Sequence, residues 1–304
     1  MQQQGNNLIY HVIAFLTVVV WGSTFISTKV LINNGLSPAQ IFTFRFLIAY
    51  ILMLFVSHKR LFADNLKDEL IMLALGASGG SVYFLTENCA LLYSTTTNVS
   101  LIVCSCPLFA TFLFCLFYKN IRLTRRQWAG AFIAFLGMIA VVLNGQFVLN
   151  LSPLGDSLAF GACLCWAVYS ILMKPVTGRY GSAFITRKVF FYGLLTILPY
   201  YFFFPELPGM QIFANPVVFC NILFLGCIAS MVCFLTWTWC IRKLGAMQVT
   251  NYVYVNPITT IIFGAWILDE HITVWFILGT ALILLGLYLS NYHANRNEAE
   301  KPTV

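Results

Sequence analysis

Charged residues are scarce in this chain of 304 residues. Asp, Glu, Lys and Arg together make up 9% of it, whereas they make up about 25% of a typical soluble domain. Hydrophobic residues account for 60%, and a soluble fold of this length has no use for so much apolar surface. The composition therefore excludes an ordinary soluble protein and predicts one whose solvent is a lipid bilayer.

The chain also lacks the motifs of common catalytic and nucleotide-binding sites. H-E-x-x-H, P-loop, G-x-G-x-x-G and Ser-His-Asp groupings do not occur in a usable context. All ten cysteines lie within apolar runs, and a pair such as Cys104 and Cys106 would point to nearly opposite faces of a helix. We therefore expect neither a metal nor a cofactor. The net charge of +7 is spread over short loops, so nucleic acid is not an expected partner.

Ten apolar segments are each long enough to cross a bilayer, which takes about 20 helical residues. The connections between them carry Gly, Pro and Asn residues that favour turns. The first segment is interpreted as a retained helix, because it lacks a basic leading region and a small-residue cleavage site. The predicted spans are 8–28, 38–57, 69–93, 97–118, 126–144, 154–174, 184–204, 215–241, 246–268 and 273–292.

Basic residues fall almost entirely on every second connection. Fifteen of the seventeen Lys and Arg residues follow this alternation, with Arg187 and Lys188 counted among them at the sixth connection. Lys29 and Arg45 depart from it. Because cytoplasmic loops carry an excess of Lys and Arg, the pattern predicts that both termini are cytoplasmic. The expected location is a bacterial-type inner membrane.

The two halves of the chain repeat each other weakly. Trp21 to Lys29 follows the pattern W-x7-K, and so does Trp166 to Lys174. A second match joins Leu123-Thr124, Gly130 and Gly137 to Ile272-Thr273, Gly279 and Gly286 at one offset of 149. Each half holds five spans, and because five is odd the second half must begin on the opposite face of the membrane.

This repeat predicts an all-α integral membrane protein with ten transmembrane helices, arranged as a 5+5 inverted-topology repeat around a central cavity. The first unit is expected at 1–146 with spans 1–5, and the second at 147–292 with spans 6–10. Residues 293–304 are expected to form a cytoplasmic tail.

Several motifs resemble those of EamA-type transporters in the drug/metabolite transporter superfamily. They are W-G-S-T-F at 21–25, F-R-F at 44–46, L-T-x-x-Q-W-x-G at 123–130, D-E-H-I-T at 269–273 and the two proline-centred spans. The resemblance covers about residues 10–290. It implies a cavity open to one side at a time and transport, often efflux, of amino acids, related metabolites or drugs. Each half usually ends its fourth span with a glutamate. Glu270 fits this pattern, but the first half has Lys119-Asn120-Ile121 instead.

Glu87 and Arg45 are ionisable residues inside predicted spans. Counted from the outer ends of consecutive antiparallel spans, Glu87 lies about 9 Å deep and Arg45 about 10 Å deep, at 1.5 Å per residue. A charge at mid-membrane costs about 2.5–3.5 kcal/mol on insertion scales, so it should face a cavity or a partner. Three interpretations are open. The two residues form a permanent ion pair, or Glu87 takes a substrate amine or a proton while Arg45 takes a carboxylate, or Arg45 reaches the outer headgroups.

The other candidates are polar or aromatic side chains. Proline removes a backbone hydrogen bond, so Pro107 and Pro257 are expected to kink spans 4 and 9 next to a cavity. Substrate contact and plain packing both remain open for the candidates Trp21, Asn88, Ser105, Trp166, Tyr252 and Asn256. Trp residues near span ends are expected in the interfacial belt, namely Trp128, Trp237, Trp239 and Trp275.

Together these features predict a secondary transporter that moves a small amphipathic metabolite, such as an amino acid, by alternating access and in the efflux direction. Its expected partners are the small-molecule substrate and the lipid bilayer. Coupling to protons through Glu87, a uniporter and an exchanger are all open, and so is the oligomeric state. Alternatives of the same fold are transporters of drugs, nucleobases or nucleotide-sugars, although a phosphate would need several basic groups in the cavity. Alternatives from other classes are an intramembrane enzyme and a receptor. The absence of a histidine from every span core argues against the enzyme, and the absence of a long connection argues against the receptor.

Overall fold

The chain is helical throughout the parts that the structure describes. This computed structural model describes residues 2–94, 96–118, 124–143, 152–205, 210–268 and 273–291. Within them, ten helical spans follow one another, in agreement with the prediction. They are α1 (Gln2–Asn33), α2 (Pro38–Val56), α3 (Leu66–Tyr93), α4 (Thr96–Val103 and Cys106–Phe117), α5 (Arg125–Leu143), α6 (Pro153–Thr177), α7 (Ser182–Phe203), α8 (Pro216–Leu244), α9 (Ala246–Thr250, Asn251–Val255 and Asn256–Leu268) and α10 (Val274–Asn291). Six of these, α1 to α4, α6 and α8, contain stretches long and apolar enough to cross a membrane by length and composition.

Several helices begin with a polar cap followed directly by proline. Ser37 accepts a hydrogen bond from the backbone of Gln40, and the Gln40 side chain accepts one from the backbone of Ser37. Ser152 and Asn215 cap α6 and α8 in the same position before a proline. Proline suits the first helical position because its missing N–H would have no partner there. These caps fix where the spans begin, although the bilayer would accept a longer apolar run.

The two halves carry matched irregularities. In the middle of α3 and of α8 the helix widens into a π-type segment, at Ala77–Ser81 and Phe224–Val232. The helix α4 is interrupted just before Pro107, and α9 tightens into a 3-10 segment just before Pro257. Proline cannot donate a backbone hydrogen bond, so the preceding turn is released at both places. The irregularities thus recur at equivalent spans of the two halves.

Helix packing follows the same twofold relation. The helix α1 packs against α8 and α9, and its counterpart α6 packs against α3 and α4. The helix α2 contacts α8, while α7 contacts α3, and the pairs α2–α7 and α5–α10 join equivalent helices directly. Exchanging the halves therefore reproduces the contact pattern. With five spans in each half, the exchange also reverses the direction of the chain through the membrane.

The contact between α5 and α10 is crossed, as a twofold axis requires. A Cβ added at Gly130 would meet the carbonyl oxygen of Gly286 at 2.7 Å, and one added at Gly137 would meet that of Gly279 at 2.7 Å. Gly279 and Gly286 are the counterparts of Gly130 and Gly137 in the sequence repeat. Gly130 thus faces the counterpart of Gly137, and Gly137 faces the counterpart of Gly130. This reciprocal arrangement is the geometry of an isologous interface. Small residues let the two backbones approach closely.

The bundle has two ends that will be referred to by one residue each. The Arg60 end carries the connections at 57–65 and 178–181, and the Asn34 end carries the connection at 34–37 and the segments 204–205 and 210–215. Glu270, the segment Lys119-Asn120-Ile121 and the tail at 293–304 lie outside the described residues.

One expectation about side-chain position was wrong. Trp237 was predicted in the interfacial belt, but it is fully buried, because its ring packs 4.9 Å from that of Trp21 inside the bundle. Arg187 and Lys188 lie in α7, within the predicted span 184–204, and each has 3% of its surface exposed. They are buried because polar groups of α3 and of the 57–65 connection meet them there.

Candidate functional site

A small central cavity, with about 30 Å³ of free space, lies between the two halves. This is room for about two water molecules, so a metabolite can occupy the site only when the surrounding helices move apart. Six aromatic residues line it: Trp21, Phe25, Tyr83, Phe84, Trp166 and Phe234. The remaining lining residues are Thr24, Arg45, Glu87, Val103, Cys106, Val253 and Asn256. The site is thus an apolar chamber that contains one basic and one acidic side chain.

Five of the eight residues proposed from the sequence meet at this cavity: Trp21, Arg45, Glu87, Trp166 and Asn256. They come from α1, α2, α3, α6 and α9, so both halves contribute. The other three, Asn88, Ser105 and Tyr252, lie elsewhere in the bundle and are described below.

Arg45 is buried, with 1% of its surface exposed. Its Nε donates a 2.9 Å hydrogen bond to the hydroxyl of Ser230 on α8, and its guanidinium carbon lies 4.2 Å from the centre of the Phe84 ring. An aromatic face attracts a cation, most strongly where water is excluded. The side chain therefore points across the bundle and not toward the outer headgroups. Its two Nη nitrogens make no hydrogen bond or ion pair with the described residues.

Glu87 is held by a residue one helical turn earlier. The hydroxyl of Tyr83 donates a 2.8 Å hydrogen bond to Oε1 of Glu87, and the glutamate is 8% exposed. A spacing of four residues puts both side chains on one face of α3. Oε2 accepts no hydrogen bond from the described residues.

Arg45 and Glu87 line the same cavity without forming an ion pair. The ion pairs of the described residues, drawn at a limit of 4.0 Å, join other side chains. A buried charge without its partner is costly, since the interior solvates it poorly. The guanidinium of Arg45 and the carboxylate of Glu87 are therefore both available to bind a charged ligand in the cavity.

The aromatic wall is built where the two halves meet. Trp21 and Trp166, at matching positions of the repeat, contact each other edge to face with ring centres 5.3 Å apart. Phe234 packs against both of them, with its ring centre 5.5 Å from Trp21 and 6.0 Å from Trp166. Edge-to-face contacts of this kind stabilise aromatic clusters beyond the area they bury. The wall is thus a packed, preformed apolar surface.

Two lining residues carry buried polar atoms without a partner. The indole Nε1 of Trp166 donates to no described atom, and Oδ1 of Asn256 accepts from none. By contrast, Nε1 of Trp21 donates a 2.9 Å hydrogen bond to the backbone oxygen of Ala229. An orphaned buried polar group is destabilising, and in a ligand cavity it is a natural contact for a polar group of the ligand.

The three remaining candidates have structural contacts. Nδ2 of Asn88 donates to the backbone oxygen of Pro38 at 3.1 Å, which joins α3 to the start of α2. The hydroxyl of Ser105 donates to the backbone oxygen of Ile102 at 2.6 Å, in the interrupted part of α4. The hydroxyl of Tyr252 lies 2.7 Å from Nδ1 of His11, which joins α9 to α1.

Tyr83, Phe84, Phe234 and Thr24 are lining residues that sequence reasoning missed. Tyr83 could have been found, because a tyrosine four residues before a membrane glutamate shares its helix face. Phe84 and Phe234 gave no signal, since the chain contains 28 phenylalanines and most helices are apolar on every side.

A second polar cluster joins the halves at the Arg60 end. Asp68 on α3 accepts hydrogen bonds of 2.8 and 2.9 Å from Nη1 of Arg179, and one of 2.7 Å from the hydroxyl of Tyr180. Asp68 is 1% exposed. In the next position along the chain, Glu69 is ion-paired with Lys188 on α7. Together these contacts tie α3 of the first half to the second half.

The connection at 57–65 takes part in the same cluster. Arg187 donates to the backbone oxygen of Ser57 at 2.6 Å and also to that of Arg60. Arg60 forms an ion pair with Asp64, and this hydrogen bond lowers the pKa of the Asp64 carboxyl below its usual value. Burial raises the pKa of Tyr180, whose hydroxyl accepts a 3.0 Å hydrogen bond from the Asp64 backbone. Asp64 therefore stays ionised and Tyr180 stays neutral at physiological pH.

At the Asn34 end the halves are joined by hydrogen bonds, one of which runs from Ser94 to the carboxylate of Asp156 at 2.8 Å. The side chain of Asn215 donates to that of Asn34 at 3.1 Å, and Ser27 donates to Asn221 at 2.6 Å. The ion pairs found among the described residues all lie at the Arg60 end. The two ends are thus closed by different kinds of contact.

Metal chemistry finds no support in the described residues. Groups of three or more His, Cys, Asp or Glu side chains that could hold an ion do not occur among them. The ten cysteines are free thiols.

A bundle of ten membrane helices in two exchanged halves, with a central cavity between them, is typical of secondary transporters. Both halves match the EamA-like transporter family, at residues 8–143 and 153–292. The chain therefore belongs to the EamA-like transporter family and is a multi-pass membrane protein that transports small molecules.

Curated proteins of similar length resemble the chain from end to end. An "Uncharacterized transporter" of Archaeoglobus fulgidus is 28% identical, with 92% of this chain and 96% of that protein covered. The "Probable amino-acid metabolite efflux pump" of Escherichia coli K12 is 25% identical, with 95% and 97% covered. The "Probable terminal-alkyne amino-acid exporter" of Streptantibioticus cattleyicolor is 26% identical, with 94% and 95% covered.

A solved crystal structure has the same fold. It superposes with a TM-score of 0.72 at 17% sequence identity and covers 94% of this chain and 99% of that chain.

Proposed function

We propose that the protein exports amino acids or closely related amphipathic metabolites across a bacterial-type inner membrane by alternating access. The observation that carries this proposal is the cavity, which Arg45 and Glu87 both line without forming an ion pair within 4.0 Å. An α-amino acid presents a carboxylate and an ammonium group together, so it can satisfy both residues. Charge-assisted hydrogen bonds of this kind are the strong ones.

The similar proteins support an amino-acid substrate and the outward direction. Two of the three curated relatives described above are named for amino-acid export or efflux. Their names do not identify the side chain that this cavity accepts. The aromatic wall favours an apolar side chain, because burying apolar surface stabilises the complex.

The proposed orientation has the Arg60 end and both termini in the cytoplasm. It follows from the alternation of Lys and Arg along the connections. Most connections are short, and the rule that Lys and Arg concentrate in cytoplasmic loops applies to short loops. The proposed units remain 1–146 and 147–292, with the tail at 293–304. Protons are proposed as the coupling ion, because Glu87 is an ionisable group at the cavity surface.

Other substrates and another class fit the cavity less well. A nucleotide-sugar would bring phosphate groups, yet Arg45 is the single basic side chain among the described lining residues. An intramembrane enzyme would need a nucleophile beside a base. The described lining contains Cys106 but no histidine, so we propose a transporter without enzymatic activity.

A metabolite screen tests the proposal. Cells that express the wild-type protein are compared with cells that express the double variant Arg45→Ala/Glu87→Gln, with surface amounts matched by immunoblot. The wild-type cells should retain less of one or more apolar amino acids and grow better with toxic analogues of them. Equal amino-acid retention in both strains, or depletion of phosphorylated metabolites instead, would contradict the proposal.

A further inference from the structure

The separation of Arg45 and Glu87 needs a physical cause. Opposite charges attract more strongly in a protein interior than in water, because the surroundings screen them less. Two flexible side chains on adjacent helices of one cavity would therefore be expected to meet, yet they do not lie within ion-pair distance. Each side chain must therefore be held in place by other contacts.

Ser230 holds the arginine. Its hydroxyl, fully buried on α8, takes the Nε hydrogen bond of Arg45 at 2.9 Å. The ring of Phe84 covers the guanidinium at 4.2 Å. With Nε and one face engaged, the guanidinium plane is fixed and only the Nη edge remains free.

Tyr83 holds the glutamate. Its hydroxyl donates to Oε1 of Glu87 at 2.8 Å, and the tyrosine is itself 8% exposed. Its ring lies 5.0 Å from that of Trp166 and 4.8 Å from that of Phe84, centre to centre. The tyrosine is therefore wedged in the aromatic wall and cannot follow the carboxylate if that group moves.

We propose that Tyr83 and Ser230 are positioning residues that keep Glu87 and Arg45 apart, so that the site accepts zwitterions and rejects substrates with a single charge. The substrate is an α-amino acid with a free ammonium and a free carboxylate, whose apolar side chain lies against Trp21 and Trp166. This inference rests on the proposed function and adds the substrate charge pattern and the residues that set it.

The selectivity follows from what each substrate leaves unpaired. A zwitterion neutralises both buried charges at once. An amine or a carboxylic acid of the same shape leaves one charge desolvated and without a partner, and an unpaired buried charge is penalised. When either positioning hydroxyl is lost, Arg45 and Glu87 can collapse into an ion pair. The zwitterion must then compete with that pair, and the preference for it falls.

Counterflow in proteoliposomes measures this preference. Proteoliposomes that contain the purified protein are loaded with one unlabelled apolar amino acid, and uptake of the same labelled amino acid is followed. The amino acid is the one of leucine, methionine, phenylalanine and tryptophan that is taken up fastest. Its amide, which lacks the carboxylate charge, and its deaminated acid, which lacks the ammonium, are added as competitors. Wild-type protein should prefer the amino acid to both analogues by tenfold or more.

Tyr83→Phe and Ser230→Ala are the test variants, because each removes one hydroxyl without adding bulk. Each should raise the half-saturation concentration for the amino acid by about tenfold, the effect of losing a hydrogen bond to a charged group. Each should also reduce the preference over the analogues to about threefold or less, while maximal uptake changes little. A general loss of structure would lower maximal uptake and leave the preference intact.

Matched controls remove hydroxyls that bridge helices away from the cavity. The Tyr201 hydroxyl lies 2.8 Å from that of Thr43, and the Ser81 hydroxyl lies 2.7 Å from that of Thr196. Tyr201→Phe and Ser81→Ala should keep the wild-type preference. If Tyr83→Phe and Ser230→Ala also keep it, the positioning role is refuted although amino-acid transport stands. If the wild-type protein moves none of the four amino acids, the proposed function fails and the inference fails with it.

Discussion

Lys188 on α7 forms an ion pair with Glu69 on α3, and the two residues are separated by 119 positions in the chain. The lysine side chain is 4% exposed and the glutamate side chain 16%. This pair is one of the contacts that close the Arg60 end of the bundle between the two halves.

Breaking this pair from one side should be more harmful than removing it entirely. Lys188→Met leaves the Glu69 carboxylate without its cation, which we expect to cost about 3 kcal/mol of unfolding free energy, the lower end of values for buried pairs. The double variant Lys188→Met/Glu69→Gln should recover more than half of that loss. Thermal unfolding in detergent, followed by gel filtration, measures both.

The exposed Lys243 supplies a control for this cycle, because Lys243→Met removes a lysine charge at the surface. It should leave the unfolding temperature within the scatter of repeat measurements. Independent, additive losses from Lys188→Met and Glu69→Gln would show that the ion pair contributes nothing beyond its two members.

The crossed glycines predict equal effects at positions far apart in the sequence. Gly137→Val and Gly286→Val, at matching positions of the repeat, should both weaken the contact of α5 with α10, because the new side chain would overlap backbone atoms of the facing helix. We expect about 1–3 kcal/mol of destabilisation for each, the usual cost of overpacking. Unfolding of the purified variants provides the measurement.

Gly161→Ala is the matched control for these variants, since an added Cβ there would meet its nearest atom only at 4.0 Å. It should be neutral or slightly stabilising, because alanine favours the helix. A large difference between Gly137→Val and Gly286→Val would argue against a twofold contact.

The two cavity tryptophans should respond differently to the same substitution. Both Trp21→Phe and Trp166→Phe reduce the volume of a buried ring and leave a cavity. Trp21→Phe also removes the hydrogen bond to Ala229, whereas Trp166→Phe removes an Nε1 that has no described partner, so Trp21→Phe should be more destabilising by about 1–2 kcal/mol. The unfolding temperatures of the two purified variants measure this difference. Equal unfolding temperatures would contradict the prediction.

Glu87→Gln tests the proton coupling. The glutamine keeps the shape of the side chain and can still accept from Tyr83, but it can no longer bind and release a proton. Uptake by the variant, assayed across pH, should lose the pH dependence of the wild-type protein and its response to a proton gradient. Asp156→Asn, in the first turn of α6 and outside the cavity lining, is the control acid. Transport by Glu87→Gln with wild-type rate and pH dependence would exclude the proposed coupling.

Depth along the membrane was predictable from the sequence, whereas rotation about the helix axis was not. Counting residues from the outer ends placed Arg45 and Glu87 at similar depth, and the structure finds both at one cavity. The same counting did not distinguish Asn88 from its neighbour Glu87, although Asn88 faces α2 instead. A helix that is apolar all round gives no periodic signal to fix its rotation.

Long-range partners were also beyond the sequence. Arg187 and Lys188 were predicted near one end of span 7, beside a connection rich in basic residues, but their burial was not predicted. Their burial depends on Glu69 and on backbone carbonyls of the 57–65 connection, more than 110 positions away. Trp237 was misplaced for a similar reason, because nearness to a span end says nothing about which helices cover it.

The different contacts at the two ends give them different responses to dissolved salt. Ion pairs weaken as ionic strength rises, since mobile ions screen exposed and partly exposed charges. Hydrogen bonds between neutral side chains, such as the one from Asn215 to Asn34, are not screened in this way. In the proposed orientation, the end held by ion pairs faces a cytoplasm of regulated salt content, and the end held by hydrogen bonds faces a medium whose salt content varies. The contacts at the outward face would then change little when the salt concentration outside the cell changes.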